Sequence, residues 1–554
     1  MMRKPALVIA LLPTLALSAL VPLSASAQSA EQYQSVLAAL YLGDEPGAAA
    51  LVARDGDVVF LGASGMASLE LGVPLEPDMV FEIGSITKQF TAAAIMMLLE
   101  EGKLALDDPI TKFLPDYPAY GEDITVEHLL THTSGIVSYT EIPGYVASEA
   151  RKDVSLEELI DVFKDLPVEF EPGERYAYNN SGYIVLGAII EKASGMPYAD
   201  FIEKRIFEPL GMNDSYYGSH SRIIARRASG YSLEGDTYTN ASFLSMTQPY
   251  AAGALMTTVE DLLRWNQALF GGQVVSDESL ERMTTPYTLN NGNSTGYGYG
   301  LAVGDVRGHA AIRHGGGIFG YVTDAIYLPE QKVFVAAFSN NTGKNVSMAG
   351  SKLAALAIGD PYPEFEEIAL DEEVLARYVG VYQIDEEAQR IVTVEDGQLY
   401  TQRTGGQRVE AFPASETHFF YKGSLSHFEF VLEDGEVTGM LMYQGGSKEA
   451  EEAVKVSDEV PVREAIDLDP AIYDDYVGVY ELGPGFELTV TREDEVLMAQ
   501  ATGQEKVQLF PESETEFFIR EVDAQITFVR GPAGTVDELI LHQGGRDMPA
   551  VRKR

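Results

Sequence analysis

A serine and a lysine three positions apart, Ser85 and Lys88, are the first residues in this sequence whose types and spacing suggest chemistry. On a helix, positions i and i+3 share a face, so the lysine would stand beside the serine. A serine hydroxyl is a weak nucleophile until a nearby base removes its proton. The apolar run 90–99 would bury the lysine stem, and desolvation lowers a lysine pKa. The chain has no other S-x-x-K, which favours a nucleophile with its activating partner over a helix-capping serine beside a solvated lysine.

A tyrosine and an asparagine in the segment Tyr178-Asn179-Asn180 form the second candidate motif. A phenol can act as a base when a lysine cation lies beside it. The Asn180 amide can orient both Lys88 and a substrate carbonyl. Tyr238-Thr239-Asn240 has the same pattern but lies in a polar stretch, whereas an apolar helix is predicted after Tyr178. Tyr178 is therefore favoured, with Tyr238 as the alternative.

A histidine followed by three glycines, His314-Gly315-Gly316-Gly317, is the third candidate motif. Glycines let a substrate backbone lie against an edge strand, where a backbone N–H can complete an oxyanion hole with the N–H of Ser85.

Two other matches are set aside. His542-Gln543-Gly544 lies in a repeated segment whose first copy has Tyr443 instead. Ser294 fits the pattern G-x-S-x-G, but it lacks the preceding apolar strand and the following helix that a nucleophile elbow requires.

In this order the three motifs resemble those of the serine β-lactamase and penicillin-binding-protein superfamily. Tyr-x-Asn as the second motif resembles the class C β-lactamase branch. The resemblance covers about residues 30–355, and further similar stretches are 124–136, 176–187, 251–263 and 297–301.

The resemblance implies acyl transfer to water. Ser85 would attack a substrate carbonyl, Lys88 and Tyr178 would carry the proton, and Asn180 would hold the substrate. The backbone amides of Ser85 and Gly317 would form the oxyanion hole. Whether Lys88 or Tyr178 is the general base stays open.

The third motif departs from that of β-lactamases and most penicillin-binding proteins, which have Lys-Thr-Gly or a close variant. Here His314 and Gly316 would contact the substrate, but a neutral histidine binds a carboxylate less strongly than a permanent cation does. H-x-G is similar to the motif of D-aminopeptidases and related peptidases and esterases. D-aminopeptidases of this kind also carry two appended β-barrel domains. The resemblance therefore favours peptide hydrolysis over antibiotic resistance.

The elements around the motifs predict one α+β domain over residues 28–360. A hairpin turning at Asp55-Gly56 is predicted in 47–61, strands in 322–338, and a closing helix in 344–357. A long apolar helix after Ser85 should end near Gly102, which suits a helix C-cap, and another helix should begin near Ser181. Strands from both ends with helices between them predict an antiparallel sheet flanked by helices, with an inserted helical region.

An internal repeat occupies the C-terminal part of the chain. The segment 378–382 recurs 98 residues further on as 476–480, and Phe412-Pro413 recurs as Phe510-Pro511 at the same offset. Short alternating runs separated by Asp-Gly turns predict two small antiparallel, lipocalin-like β-barrels. Their predicted bounds are 371–448 and 469–554, and 359–370 and 449–464 are predicted to be linkers.

The bulk composition excludes several classes of function. A formal net charge of −45 disfavours nucleic acid and anionic membranes as partners. The chain has no cysteine, which excludes disulfides, thiolate zinc sites and cysteine nucleophiles. It also has no H-E-x-x-H motif. We therefore expect neither a metal nor a cofactor.

The first 27 residues predict a signal peptide. Arg3 and Lys4 precede an apolar run, and 25–27 (ASA) fits a cleavage site before Gln28. The expected location is periplasmic or secreted, with no membrane span in the mature chain.

The function predicted from the sequence is an exported serine peptidase acting on small peptides, including peptides with D residues. A carboxylesterase with the same catalytic set is the alternative, followed by a β-lactamase or a penicillin-recognising protein without turnover. The expected partner is a small peptide, amide or ester substrate. The repeats carry no recognisable catalytic set, so their role as a lid, in substrate gating or in forming an oligomer stays open.

Overall fold

The computed structural model describes residues 24–460, 465–483, 486–531, 534–543 and 546–553. The predicted signal peptide lies almost entirely outside these residues. Among the helices that the structure describes, none is long and apolar enough to cross a membrane. We call residues 24–359 the mixed domain, because they combine a central sheet with helices.

The mixed domain contains one six-stranded sheet and three small sheets of short strands. Its strands are β1 Ala48–Arg54, β2 Asp57–Ser64, β3 Met66–Ser68, β4 Val73–Pro74, β5 Phe81–Glu82, β6 Tyr216–Tyr217, β7 Tyr231–Glu234, β8 Thr237–Asn240, β9 Leu255–Thr257, β10 Ala302–Val306, β11 His309–Ile318, β12 Tyr321–Leu328 and β13 Val333–Ser339. Its α-helices are α1 Ser24–Leu40, α2 Thr87–Glu100, α3 Ile110–Phe113, α4 Val126–Leu130, α5 Tyr145–Glu149, α6 Leu156–Asp161, α7 Asn180–Ser194, α8 Tyr198–Ile202, α9 Glu208–Leu210, α10 Tyr250–Gly253, α11 Val259–Phe270, α12 Asp277–Thr284 and α13 Val346–Ala357.

The central sheet joins both ends of the mixed domain, as predicted. Its strand order is β10-β11-β12-β13-β1-β2, and each pair of neighbours is antiparallel. Alternate residues of β1 face opposite sides: Leu51 joins the core that contains α2 and α7, whereas Val52 packs with α1 and α13. The sheet therefore separates two apolar layers, and the larger layer supports the first two motifs.

The predicted helices and turns agree with the observed ones to within a few residues. The chain turns at Asp55-Gly56 between β1 and β2, where both residues have positive φ. Helix α2 ends at Glu100, and Gly102 follows with a φ of 68°, which glycine adopts without strain. Helix α7 begins at Asn180, capped by the Asn179 side chain, which accepts a hydrogen bond from the Gly182 N–H.

The two repeats form two closed eight-stranded antiparallel barrels, which confirms the predicted fold. The first follows helix α14 Glu372–Ala376 and contains β14 Gly380–Gln383, β15 Gln389–Glu395, β16 Gln398–Arg403, β17 Arg408–Pro413, β18 His418–Phe420, β19 His427–Glu433, β20 Glu436–Tyr443 and β21 Glu451–Ser457. The second contains β22 Gly478–Gly483, β23 Phe486–Glu493, β24 Val496–Ala501, β25 Val507–Pro511, β26 Glu516–Ile519, β27 Ala524–Arg530, β28 Val536–Gln543 and β29 Arg546–Arg552.

Equivalent aromatic pairs fill the two barrels. Tyr378 stacks on Phe430 with ring centroids 4.1 Å apart, and Tyr476 stacks on Phe528 at 4.3 Å. These side chains are buried, together with the aliphatic residues around them. The interiors of the barrels are therefore packed cores in the part of the chain that the structure describes.

One predicted linker is wrong in part. Strand β21, Glu451–Ser457, lies within 449–464 and pairs with both β14 and β20, so it closes the first barrel. Of its side chains only Ala453 is buried, whereas Glu451 is half-buried in an ion pair with Arg390 and Glu452 is exposed. An acidic strand with one inward-facing apolar residue has the composition of a linker, which is why the predicted barrel bound at 448 was too short.

An ion pair between the half-buried Arg313 and the buried Asp324 joins strands β11 and β12 and provides a test of this packing. The Asp324 carboxylate is 1% exposed and accepts hydrogen bonds of 2.9 and 3.1 Å from Arg313 Nη2. Burial raises the pKa of Asp324 to about 6, although the Arg313 guanidinium opposes the shift. Because the folded pKa lies above the unfolded one, the contribution of this carboxyl to stability is greatest below pH 4 and decreases as the pH rises through about 6.

Arg313→Gln should therefore destabilise the protein more at pH 8 than at pH 5. At pH 8 the variant holds an unpaired buried carboxylate, which costs about 3 kcal/mol, whereas at pH 5 the carboxyl can be protonated. Urea unfolding at both pH values measures the difference. Arg282→Gln, which breaks an exposed pair with Glu278, is the control and should change little. An equal loss at the two pH values would contradict this account of Asp324.

Candidate active site

Ser85 lies in a 3-10 turn, Gly84–Ile86, that leads directly into α2. Gly84 has a φ of 50°, and a Cβ built on it would lie 2.9 Å from the Gly317 carbonyl oxygen. A side chain at position 84 would therefore push the turn away from β11. The Thr87 hydroxyl accepts a hydrogen bond of 3.1 Å from the Leu255 N–H. The turn is thus held between β11 on one side and β9 on the other.

The Lys88 amine is 0% exposed and contacts three oxygen atoms. Its Nζ lies 2.8 Å from Asn180 Oδ1, 2.9 Å from the Ala252 carbonyl oxygen and 3.1 Å from Ser85 Oγ. The structure thus brings Ser85, Lys88 and Asn180 together, as the motifs predict. Burial lowers the pKa of Lys88 well below its usual 10.5.

When the Lys88 amine is neutral, these contacts determine which neighbours receive its two hydrogens. The Ala252 carbonyl and the Asn180 amide oxygen can only accept, so Nζ donates a hydrogen to each. A neutral amine then has no hydrogen left, and its lone pair is available to Ser85 Oγ. The arrangement fits a lysine that accepts the hydroxyl hydrogen of Ser85, as a general base must.

Tyr178 covers the lysine with its ring. The ring centroid is 4.8 Å from Lys88 Nζ, within the range of a cation–π contact when the amine is protonated. Burial raises the pKa of Tyr178, although the Ser85 hydroxyl nearby opposes the shift. Among the described residues, none meets the geometry of a hydrogen bond to the buried Tyr178 hydroxyl. A phenol in this state keeps its proton at neutral pH and can donate it.

Asn180 is fixed from two sides at the start of α7. Its Nδ2 donates to Thr140 Oγ1 at 3.0 Å while its Oδ1 accepts from Lys88. Its backbone N–H donates to Ser138 Oγ at 3.3 Å. The amide therefore bridges Lys88 and the cavity wall, where a substrate could reach it.

The glycines of the third motif bring β11 against the turn that carries Ser85. A Cβ on Gly316 would lie 2.0 Å from the Ile83 carbonyl oxygen, whereas a Cβ on Gly317 would meet open space. The Thr323 hydroxyl on β12 donates to the same Ile83 oxygen at 2.9 Å. The backbones of Ser85 and Gly317 are therefore neighbours, as an oxyanion hole between their amides requires. Gly316 itself serves close packing and does not line the cavity.

His314 does not line the cavity at Ser85, which differs from the predicted substrate contact. Its Nδ1–H donates to the Gly315 carbonyl at 2.6 Å, and its Nε2 accepts from the Tyr297 hydroxyl at 2.8 Å. Both ring nitrogens are thus already satisfied by the protein. Burial, assisted by the nearby Lys88, lowers the pKa of His314 to about 4, so the ring is neutral at pH 7.

The alternative candidates lie elsewhere. Tyr238 is on strand β8, and its hydroxyl accepts a hydrogen bond of 3.1 Å from Asn341 Nδ2. Ser294 is exposed in a loop that makes a single bridge to Thr288. Neither lines the cavity at Ser85.

Two further groups support the site but are not part of the three sequence motifs. The Ala252 carbonyl is presented by α10, whose first residue, Tyr250, has a φ of 36° that a non-glycine side chain rarely adopts. The His132 ring packs against Tyr178 in a tilted arrangement with centroids 4.3 Å apart, and its Nδ1 accepts from the Asn179 N–H. Ala252 and His132 lie in the stretches 251–263 and 124–136, which are similar to the superfamily. That similarity is the only feature of the sequence that could have identified them.

A cavity of about 310 Å³ opens at Ser85. Its wall contains no charged side chain. The lining residues are Gly84, Ser85, Tyr139, Thr140, Tyr145, Val146, Ala150, Asn180, Leu244, Gln248, Pro249, Ala252, Gly253, Gly317, Ile318 and Phe319. In the described residues there is also no cluster of three or more side chains suited to hold a metal ion.

Residues 37–359, which hold all of these groups, match the family model described as Beta-lactamase. The chain belongs to the beta-lactamase family. A penicillin-binding protein of Bacillus subtilis is 33% identical over 73% of this chain and 94% of its own length. The C-terminal part of this family member matches a domain of unknown function, DUF3471, twice, at 366–459 and 462–551.

Two further relatives agree with this assignment. A D-aminopeptidase of Gluconobacter oxydans is 27% identical over 57% of this chain and 60% of its own length. The solved structure of an octameric penicillin-binding protein homologue from Pyrococcus abyssi is 31% identical, covers 77% of this chain and 99% of its own, and superposes with a TM-score of 0.56. The beta-lactamase family member described here is a serine hydrolase, as the motifs predicted.

The packing of β11 against the Ser85 turn can be tested with two neighbouring glycines. Gly316→Ala would place a Cβ 2.0 Å from the Ile83 carbonyl oxygen. The Cβ of Gly315→Ala would lie 3.5 Å from the Thr323 carbonyl oxygen, an ordinary van der Waals distance. A displacement of about 1 Å at a reacting group costs about 100-fold in rate, so we expect that loss of kcat/KM for Gly316→Ala. Gly315→Ala should stay close to the wild type. Equal activities of the two variants would show that the turn does not depend on this contact.

Proposed function

We propose that this serine hydrolase is an exported peptidase that hydrolyses small peptides and amides, including those with D residues, through an acyl-enzyme on Ser85. The observation that carries the proposal is the hydrogen bond between Ser85 Oγ and the buried, pKa-lowered Lys88 amine. Similarity to a D-aminopeptidase supports the substrate class. The predicted signal peptide supports export to the periplasm or the medium.

The proposed reaction begins with transfer of the Ser85 proton to Lys88 Nζ as Oγ forms a bond to the substrate carbonyl carbon. The carbonyl oxygen becomes an oxyanion, which the backbone amides of Ser85 and Gly317 stabilise. The proton then passes from Lys88 through the Tyr178 hydroxyl to the leaving group as its bond to carbon breaks. A water molecule reverses these steps on the acyl-enzyme and releases the acid.

The uncharged cavity wall supports neutral substrates over β-lactams. A β-lactam carries a carboxylate, and no cationic side chain lines the cavity at Ser85. His314 is neutral and has both ring nitrogens engaged, so it does not replace the missing lysine. A carboxylesterase would use the same groups, and a panel of peptide amides, p-nitrophenyl esters and nitrocefin separates the three activities.

Ser85→Ala should remove hydrolysis of every substrate in this panel while the protein stays folded. Loss of a catalytic serine lowers kcat by on the order of 10⁶. A fluorophosphonate probe should add one mass increment to the wild type, mapped to Ser85 by peptide mass spectrometry. The same probe should leave Ser85→Ala unmodified. An adduct on Ser294 or on any other serine would overturn the assignment of the nucleophile.

Tyr178→Phe should harm amide hydrolysis much more than hydrolysis of a p-nitrophenyl ester. An amine must be protonated as it leaves, whereas p-nitrophenolate leaves without a proton. General acid catalysis contributes about 100-fold or more, so the ratio of amide to ester kcat/KM should drop by about that factor. Tyr176→Phe, a neighbouring tyrosine without a contact to Lys88, is the matched control. Equal losses on both substrates would argue that Tyr178 does not donate the proton.

A further inference from the structure

A second cavity of about 610 Å³ adjoins the cavity at Ser85. The two share four wall residues: Thr140, Val146, Ala150 and Phe319. We call this second cavity the outer cavity. Its wall is completed by Phe486 and Thr502, which belong to the second barrel. The second barrel therefore reaches the cleft that begins at the nucleophile.

The position of the outer cavity relative to Tyr178 indicates which half of a substrate it receives. In strand β11, His314 lies near Tyr178, with ring centroids 6.3 Å apart. From there the strand continues past Gly317 to its end at Ile318. Phe319, which follows that end of the strand, lines both cavities, whereas Tyr178 lines neither. In the proposed reaction Tyr178 protonates the leaving group. The half of the substrate that stays on Ser85 therefore points towards Phe319.

We propose that the outer cavity is a binding subsite for an apolar, aromatic group at the remote end of the acyl half of the substrate, and that the second barrel supplies part of its wall through Phe486. This inference rests on the proposed function for the direction of the substrate. It assigns the second barrel a role in substrate selection.

The chemistry of the wall favours an aromatic occupant. Phe243, Phe319 and Phe486 line the outer cavity, together with Ile142 and Val146. The ring of Phe243 is held by His220, with centroids 4.4 Å apart. Phe486 is 37% exposed, and burying that surface against a ligand ring is favourable, as is the ring pairing itself. Glu141 and Arg151 also line this cavity, one of each charge, so the wall has no net charge to select an ion.

A comparison of the two barrels supports a specific role for Phe486. At the 98-residue offset of the repeat, the first barrel has Ala388 where the second has Phe486. The neighbouring threonines are used identically: Thr404 accepts from the Gln389 N–H and donates to its carbonyl, and Thr502 does the same with Glu487. The barrel architecture thus accepts alanine at this position, so the large side chain at 486 serves something other than the barrel fold.

The test uses p-nitrophenyl esters of ω-phenylalkanoic acids, with two to six methylene groups between ring and carbonyl, and p-nitrophenyl acetate. In the wild type, kcat/KM should rise to a maximum at the chain length that places the ring in the outer cavity. Phe486→Ala should lower kcat/KM for that ester by about tenfold, mainly through KM, because an aromatic contact is lost. The acetate, which does not reach the outer cavity, should be unaffected. Val551→Ala, at an exposed apolar residue of the same barrel that does not line the cavity, is the control.

A binding measurement separates this inference from the proposed reaction. Calorimetry should detect the matching ω-phenylalkanamide bound to Ser85→Ala, with an affinity about tenfold weaker in Ser85→Ala/Phe486→Ala. If the amide binds in this way but the wild type hydrolyses no ester, the proposed reaction fails and the subsite stands. If the wild type hydrolyses the esters but Phe486→Ala changes neither the aryl preference nor the amide affinity, or lowers the acetate rate equally, the subsite is overturned.

Discussion

The burial of one amine, that of Lys88, is the constraint on which the rest of the site depends. A charged ammonium that is 0% exposed is costly, and its pKa is lowered accordingly. Two of its three neighbours can only accept hydrogens, so both hydrogens of the neutral amine are used and its lone pair is left for Ser85. The same desolvation that makes the charged lysine expensive to bury favours its neutral form, which can accept a proton.

The fold brings the three neighbours of Lys88 from three separate parts of the chain, and a fourth part completes the site. The serine comes from the turn before α2, the asparagine from the first residue of α7, and the carbonyl of Ala252 from α10. The fourth part, β11, brings Gly317 beside the turn. The central sheet and the apolar layer around α2 and α7 hold these pieces in place. A change in any one of them alters the environment of the same amine.

The sequence predicted those parts of this arrangement that depend on side-chain type and local spacing. The i, i+3 pair Ser85 and Lys88, the helix after Asn179 and the two barrels follow from helical spacing, capping and an internal repeat. The Ala252 contact did not, because every residue has a backbone carbonyl and its use depends on the tertiary fold. The hydrogen bonds of His314 did not follow from the sequence, because one partner, the Tyr297 hydroxyl, lies 17 residues away. The acidic strand β21 was taken for a linker because its pairing with β14 spans most of the barrel.

The protonation state of Lys88 can be measured directly by NMR of protein labelled with ¹³C at the lysine Cε, with the Lys88 resonance assigned by its absence in Lys88→Arg. We predict that Lys88 loses its charge well below the usual 10.5, at a lower pH than the exposed lysines do. Titration of Lys88 together with the exposed lysines would contradict it. In that case the amine would be an ammonium ion, and it could not accept the proton of Ser85.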